Sequence, residues 1–230
     1  MPLSTISRQR PLTSYAKIQA WVGAIIRNRR FQLQCLRART SKYLDIGCGL
    51  NTHENFINLD YFWHPKVDIC WDPRRGLPFA DGSLNGIFSE HCLEHFPLPE
   101  ALDLLREIRR VLSPKGIARI VVPDGELYLR TYMQHLNGES PSRFPYQDSD
   151  TRQEIWTPML SVNRVFYQDR VSPYGHRTIF DFQLLQCALH QCGFSHAERR
   201  QFRCGADPQL LIDTPARQVE SLYVEAWGTS

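Results

Sequence analysis

Tyr43-Leu44-Asp45-Ile46-Gly47-Cys48-Gly49, followed by Phe56-Ile57-Asn58-Leu59-Asp60, is the stretch on which the reading of this chain turns. A short apolar run breaking into Gly-x-Gly is a buried strand ending in a turn, where missing side chains let backbone approach a ligand. A carboxylate closing the next apolar run is placed to accept hydrogen bonds from ribose hydroxyls. The pattern departs from a dinucleotide fingerprint in two ways. Leu50-Asn51-Thr52 stands where a third glycine would follow, and Asp45 lies inside the strand just before the turn. A pyrophosphate wants backbone N–H groups and no nearby anion, whereas a carboxylate at the turn suits a cationic ligand carrying an amino group.

Outward from that motif, apolar runs alternate with links. Val67–Trp71 reads as a strand ending at Asp72, Leu77–Ser83 as a turn-rich link and Gly86–Ser89 as the next strand. Ala101, Leu104, Leu105, Ile108, Val111 and Leu112 share one face of a helix over about 99–112. Ser113-Pro114-Lys115-Gly116 stops it, and Ile117–Val122 follows as a buried strand. This alternation predicts an α/β fold with a mostly parallel, doubly wound sheet and its ligand at the carboxyl ends of the strands. The link from Gly49 to Glu54 is shorter than a parallel crossover usually needs, so a tight loop or single helical turn replaces the usual first helix. Residues 123–180 are irregular and rich in aromatics, which predicts a cap inserted after the fifth strand, at about 125–180. A helix near 181–191, a strand near 197–202 and a final strand over 221–227 close the chain.

The net charge of +3 conceals an asymmetry: residues 1–44 hold nine basic side chains and no acid, leaving 18 basic and 24 acidic residues in the remainder. The chain therefore divides into a basic N-terminal segment, 1–42, and a main domain, 43–230. Tyr15, Ile18, Val22, Ile25 and Ile26 fall at helical spacing, so the segment is an amphipathic helix. Such a helix packs on the domain, rests on an anionic membrane or partner, or belongs to a transit peptide. The acidic body and the lack of a recognition motif argue against nucleic acid. No apolar run approaches the roughly 20 residues of a spanning helix. The seven cysteines lack framework spacing and read as reduced thiols. The expected location is cytoplasmic, with peripheral membrane contact through the basic segment left open.

In this order, Leu44–Gly49, Ile57–Asp60, Asp72 with Leu77–Ser83, Ser89–Phe96 and Arg110–Gly116 resemble the class I S-adenosylmethionine-dependent methyltransferases. The resemblance covers residues 43–124. Glu220–Ala226 resembles the last strand of a bacterial branch of small methyltransferases, some associated with surface-polysaccharide genes. It implies a seven-stranded Rossmann-like sheet with an antiparallel last strand. It also implies S-adenosylmethionine as cofactor, which carries both a sulfonium and an ammonium. By position, Asp45 and the backbone of Gly47, Cys48 and Gly49 would hold the methionine part and Asp60 the ribose. Asp72 would take the adenine amino group and Leu77 the ring. Ser89, Glu90 and His91 would line the methionine side, with His95 packing under the cofactor.

For chemistry, a hydroxyl nucleophile needs a proton acceptor, which favours histidine. The expectation is O-methylation of a small molecule or glycan, with His91 or His176 as base, Asp124 or Tyr128 orienting, and Tyr128 and Tyr174 near the acceptor. A second class is a cofactor-binding protein without catalysis. A third follows from His91-Cys92-Leu93-Glu94-His95, which matches the His-x-x-Glu-His signature of zinc hydrolases. That motif needs a helix and a third ligand, and no downstream helix offers one in a matching setting, so no metal ligands are assigned.

Overall fold

Strand β1, Tyr43–Ile46, lies in the interior of the sheet, its run buried on both sides, with Leu44 and Ile46 fully enclosed. In this computed structural model, which describes residues 14–36, 41–139, 145, 157–166 and 175–228, the other strands are β2 (Ile57–Asp60), β3 (Ile69–Cys70), β4 (Leu84–Glu90), β5 (Leu112–Pro123), β6 (His196–Arg200) and β7 (Ser221–Trp227). Their order is β3-β2-β1-β4-β5-β7-β6. Pairing is parallel from β3 to β5, and β7 runs antiparallel between β5 and β6. This is the expected α/β sheet of seven strands with an antiparallel last strand.

The connection from β1 to β2 holds no helix. Gly47 and Cys48 both donate to the Leu59 carbonyl, at 2.8 and 3.3 Å, so the chain turns back at once. The buried carboxamide of Asn58 then fastens the loop: it accepts from the His53 N–H at 2.8 Å and donates to the His53 carbonyl at 3.0 Å. A side chain on β2 thus supplies the bonds that a first helix would otherwise make internally.

Two readings of the sequence are corrected here. Leu112 opens β5 rather than ending the preceding helix. Ser113–Gly116 lies inside that strand as a bulge: Leu84 pairs with Leu112 and Gly86 with Ile117, so four residues stand opposite Asn85 alone. The irregular stretch expected after β5 begins instead with a regular helix, Gly125–Leu136. Asp124 caps it by accepting from the Leu127 N–H at 3.2 Å.

The helices are α1 (Ser14–Ile26), α2 (Phe31–Leu36), α3 (Leu98–Val111), α4 (Gly125–Leu136), α5 (Pro158–Phe166) and α6 (Phe182–Gln191). Leu104, Leu105 and Ile108 of α3 and Leu185 and Leu189 of α6 fill the main core with Leu44, Ile87, Ile120 and Val224. A second cluster, Phe56, Phe88, Val121 and Tyr223, is closed by Leu210, the end of a single 3₁₀ turn (Pro208–Leu210) in the 201–218 connection. Arg119, expected as part of an apolar strand, is fully buried there. Its guanidinium donates to Asp213 at 2.7 and 2.6 Å, to Glu225 at 3.2 Å and to the carbonyls of Gln201 and Cys204. All five donors are thereby engaged, which makes the buried charge tolerable and ties the connection to the sheet.

The N-terminal helix forms as expected, but much of its apolar face points outward. It meets the domain through Gly23, which lies against Trp63, with Val22 and Ile26 half-buried, while Ile18, Trp21 and Ile25 are 54, 68 and 47% exposed. Gly23 allows an approach that a larger side chain would hold off. Among the described residues, no helix is long and apolar enough to cross a membrane. Of the aromatics expected in the cap, Phe144, Tyr146, Trp156, Tyr167 and Tyr174 lie outside the described residues.

Candidate functional site

At the carboxyl end of β1 the backbone turns through Gly47 and Gly49, whose φ angles are +76° and +52°. A Cβ at Gly47 would stand 2.7 Å from both Cβ and Sγ of Cys92, whereas one at Gly49 would meet no atom within 4 Å. The first glycine therefore lets the turn after β4 press on the turn after β1, and the second leaves open room beside the backbone. Cys48, between them, is buried, and burial drives its thiol pKa far up.

Three carboxyl groups gather at this turn. Asp45 is 2% exposed, and burial, followed by the charges of Glu90 and Asp60, raises its pKa well above the carboxylate range. Burial also raises Asp60, against the opposing effect of N–H bonds from Phe62 at 2.7 Å and Gly49 at 2.8 Å. Glu90 is raised by burial in turn, although it accepts from the Thr214 N–H at 3.0 Å. His64 touches the Gly49 carbonyl through Nε2. A cationic ligand placed here would lower the energy of all three acids, because each is held closer to neutrality than it would be in water.

The N-terminal segment builds a wall that sequence reasoning missed. A cavity of about 370 Å³ lies between Arg27, Asn28 and Arg29 on one side and Tyr61, Asp72 and Arg75 on the other. Arg27 sits 3.6 Å over the Tyr61 ring and donates to the Tyr61 carbonyl at 2.8 Å. Asn28 accepts from the Asp72 N–H at 2.8 Å. For Asp72, burial acts upward but hydrogen bonds from Arg74, two of them at 2.8 Å, outweigh it and hold the carboxyl below its usual value. Leu77 is buried, with its N–H on Glu107. Asn28 and Gln32, polar residues beside an apolar helix, were the only signal of this docking, and polar residues there are as readily solvated.

Beyond β4 the chain enters a left-handed turn at His91, φ +49°, and a single tight helical turn over Leu93–His95. Ser89 is buried and hydrogen-bonds Cys92. Glu94 is 1% exposed, and its backbone carbonyl accepts from the N–H groups of Arg177 and Thr178 at 2.8 and 3.1 Å. Those two bonds bring the strand-like 175–180 segment back onto the turn and deliver His176. Glu94 Oε1 then stands 3.5 Å from His91 Nδ1, 3.9 Å from His95 Nε2 and 3.9 Å from His176 Nε2. Burial raises the Glu94 carboxyl to about 8 and lowers both His91 and His176, so the imidazoles are neutral at ordinary pH.

This geometry revises the zinc-hydrolase reading. Its signature requires two histidines one turn apart on a helix, but His91 occupies a left-handed turn and only Leu93–His95 is helical. The residue facing Glu94 and His95 from elsewhere in the chain is His176. Asp124 is not brought to this group: one oxygen caps α4 and the other pairs with Arg199 at 2.5 Å. Tyr128 is buried with its hydroxyl donating to Glu220 at 2.7 Å, and Tyr174 lies outside the described residues.

Residues 49–120 match the family described as a methyltransferase domain. No curated protein matches the chain. Among solved structures, it is similar to the 1,6-didemethyltoxoflavin-N1-methyltransferase of Burkholderia thailandensis, solved with bound 1,6-didemethyltoxoflavin and S-adenosylhomocysteine. Identity is 14%, over 94% of this chain and 84% of the other, with a TM-score of 0.48. It is also similar to an S-adenosylmethionine-dependent methyltransferase from Mesorhizobium loti, at 18% identity over 85% and 96% of the two chains and a TM-score of 0.45. The family match begins at Gly49, takes in β2, β3, β4 and most of β5, and supports S-adenosylmethionine as the cofactor.

Proposed function

We propose that this chain methylates an oxygen of a small molecule or glycan. The observation that carries the reading is the group of neutral imidazoles around Glu94 on the same turn whose Cys92 packs against Gly47. When bound, S-adenosylmethionine supplies a methyl group on a sulfonium. In this reading Asp45 and Glu90 face the ammonium of the methionine part and the Gly47–Gly49 backbone its carboxylate. Asp60 accepts from the ribose hydroxyls with the lone pairs left over from its two backbone bonds. Asp72 meets the adenine amino group and Leu77 the ring, while Ser89 and His95 enclose the methionine side.

In this reading His91 Nδ1 would accept the proton of the acceptor hydroxyl, while the bound cofactor would supply the methyl group. Neutral imidazole is suited to this because its ordinary pKa lies near working pH and burial keeps it unprotonated. Alignment of the acceptor supplies much of the rate. Tyr128 and Glu220 stand behind the site as positioning residues. The test is transfer of labelled methyl to hydroxylated glycans and small molecules, with the product identified by NMR. A methoxy product supports oxygen as the acceptor atom, and methylation at nitrogen or carbon overturns it. Cofactor binding without turnover on any acceptor would favour a non-catalytic binding protein.

The exposed Ile18, Trp21 and Ile25 on α1, flanked by Lys17, Arg29 and Arg30, also favour peripheral contact of the 1–42 segment with an anionic membrane. Cosedimentation with anionic vesicles tests this; equal binding by Trp21→Ser and wild-type protein would overturn it.

A further inference from the structure

We propose that Glu94, His95 and His176 form a binding site for a divalent transition metal of the zinc class. Their ligand atoms, one from each side chain, all lie within 4.8 Å of one another. Glu94 Oε1 is 3.9 Å from Nε2 of both histidines, whose rings stand 5.2 Å apart at the centroids. Two atoms bound to one ion at roughly 2.1 Å in tetrahedral geometry stand about 3.4 Å apart, so closure on a metal asks for about half an ångström on each Glu94 contact and at most about 1.4 Å between the two histidines.

These separations are too long for hydrogen bonds, and that is the stronger argument. Both carboxylate oxygens of Glu94 are buried without a hydrogen-bond partner, as is Nε2 of His176. A buried carboxylate that no donor satisfies is costly unless a cation or a proton meets it.

The outer contacts settle which nitrogen of His176 offers its lone pair. His176 Nδ1 lies 2.6 Å from the Val165 carbonyl, which can only accept, so that nitrogen carries the proton and Nε2 faces Glu94 bare. A hydrogen bond from the outer ring nitrogen to a backbone carbonyl is how metal-bound histidines are commonly oriented. His91 shows the same logic on the flank. Ser221 donates to the Arg217 carbonyl at 2.8 Å and accepts from His91 Nε2 at 2.8 Å, leaving His91 Nδ1 bare toward Glu94. Lone pairs of two imidazoles thus face the Glu94 carboxyl group. Arg217 is the cation nearest in charge effect, yet its guanidinium pairs with Glu220 at 2.8 Å. Two imidazoles and a carboxylate are a borderline ligand set that suits zinc, cobalt or iron over magnesium or calcium.

The test is titration of chelator-treated protein with Co²⁺, followed by its visible absorption and by displacement with Zn²⁺, alongside elemental analysis of the protein as purified. One equivalent of Co²⁺ is expected, lost in Glu94→Gln and in His176→Ala. His190→Ala, outside the cluster, keeps it. Circular dichroism confirms that each variant is folded. Substoichiometric uptake by folded wild-type protein, or full uptake by both ligand variants, overturns the site. S-adenosylmethionine titration of the same samples separates this from the methyltransfer reading: cofactor binding without cobalt uptake sinks the metal alone, and cobalt uptake with methylation at nitrogen or carbon sinks the oxygen reading alone.

Discussion

The side chain of Gln32 pairs with Cys70 as a neighbouring strand would: its Oε1 accepts from the Cys70 N–H at 2.8 Å and its Nε2 donates to the Cys70 carbonyl at 3.2 Å. A two-residue edge strand is thereby finished by one carboxamide from α2. Gln32→Ala leaves the buried Cys70 N–H unpaired, at a cost of about 1–3 kcal/mol, while the Cys70 carbonyl keeps the Asn28 N–H at 3.2 Å. The expected result is a lower midpoint in urea and a weaker S-adenosylmethionine affinity, since Asn28 positions Asp72 from the same segment. Unchanged values in both measurements would show that the segment is not part of the site.

Asp45 links stability to pH. Its folded-state pKa lies above its unfolded value, so its contribution is favourable below the ordinary carboxylate range and is lost as pH rises through the folded pKa. Asp45→Asn is therefore expected to raise the melting temperature at pH 7.5, with the gain shrinking toward pH 4. The same change removes a charged partner for the cofactor ammonium, and affinity measured by calorimetry is expected to fall about ten- to a hundredfold. A variant that binds as tightly as wild type would remove Asp45 from the proposed contacts.

Arg119 offers a different stability test. Its removal strands Asp213 and Glu225, both fully buried, without their cation. Arg119→Met is expected to cost about 3–5 kcal/mol in denaturant unfolding. A loss under 1 kcal/mol would mean that the carboxylates find water or other donors.

Gly47→Ala meets two obstacles, a positive φ and the side chain of Cys92 at 2.7 Å. The expected outcome is a drop in melting temperature together with a cofactor affinity reduced more than tenfold, because the turn after β4 must move. Gly138→Ala, also at positive φ but with no atom within 4 Å, controls for backbone strain alone.

Much of the sheet was legible because its signals are local. The alternation of apolar runs located β1, β2, β4 and β7, and the shortness of 47–56 already implied a crossover without a helix. The acids at the glycine turn were visible for the same reason: Asp45, Asp60 and Glu90 each close or interrupt an apolar run. What escaped depends on residues distant in sequence. The bulge at 113–116 looks like a helix stop because proline and glycine mark both. Arg119 is buried only because Asp213 and Glu225 meet it, and the chain gives no hint of that pairing. His176 reaches Glu94 because two backbone bonds pin 177 and 178, so a search for a third ligand on a helix was bound to miss it.

The flank of the sheet left bare by the missing first helix is covered by the 201–218 connection. Tyr43 holds Asp207 at 2.9 Å, Asn51 meets Thr214 at 3.3 Å and Glu90 caps Thr214. The cofactor turn, at residues 47–49, thus rests on chain made more than 150 residues later. Pairings of such long range carry a larger loop-closure entropy cost than those between neighbouring elements and slow folding. The binding competence of the turn thus depends on chain translated long after it.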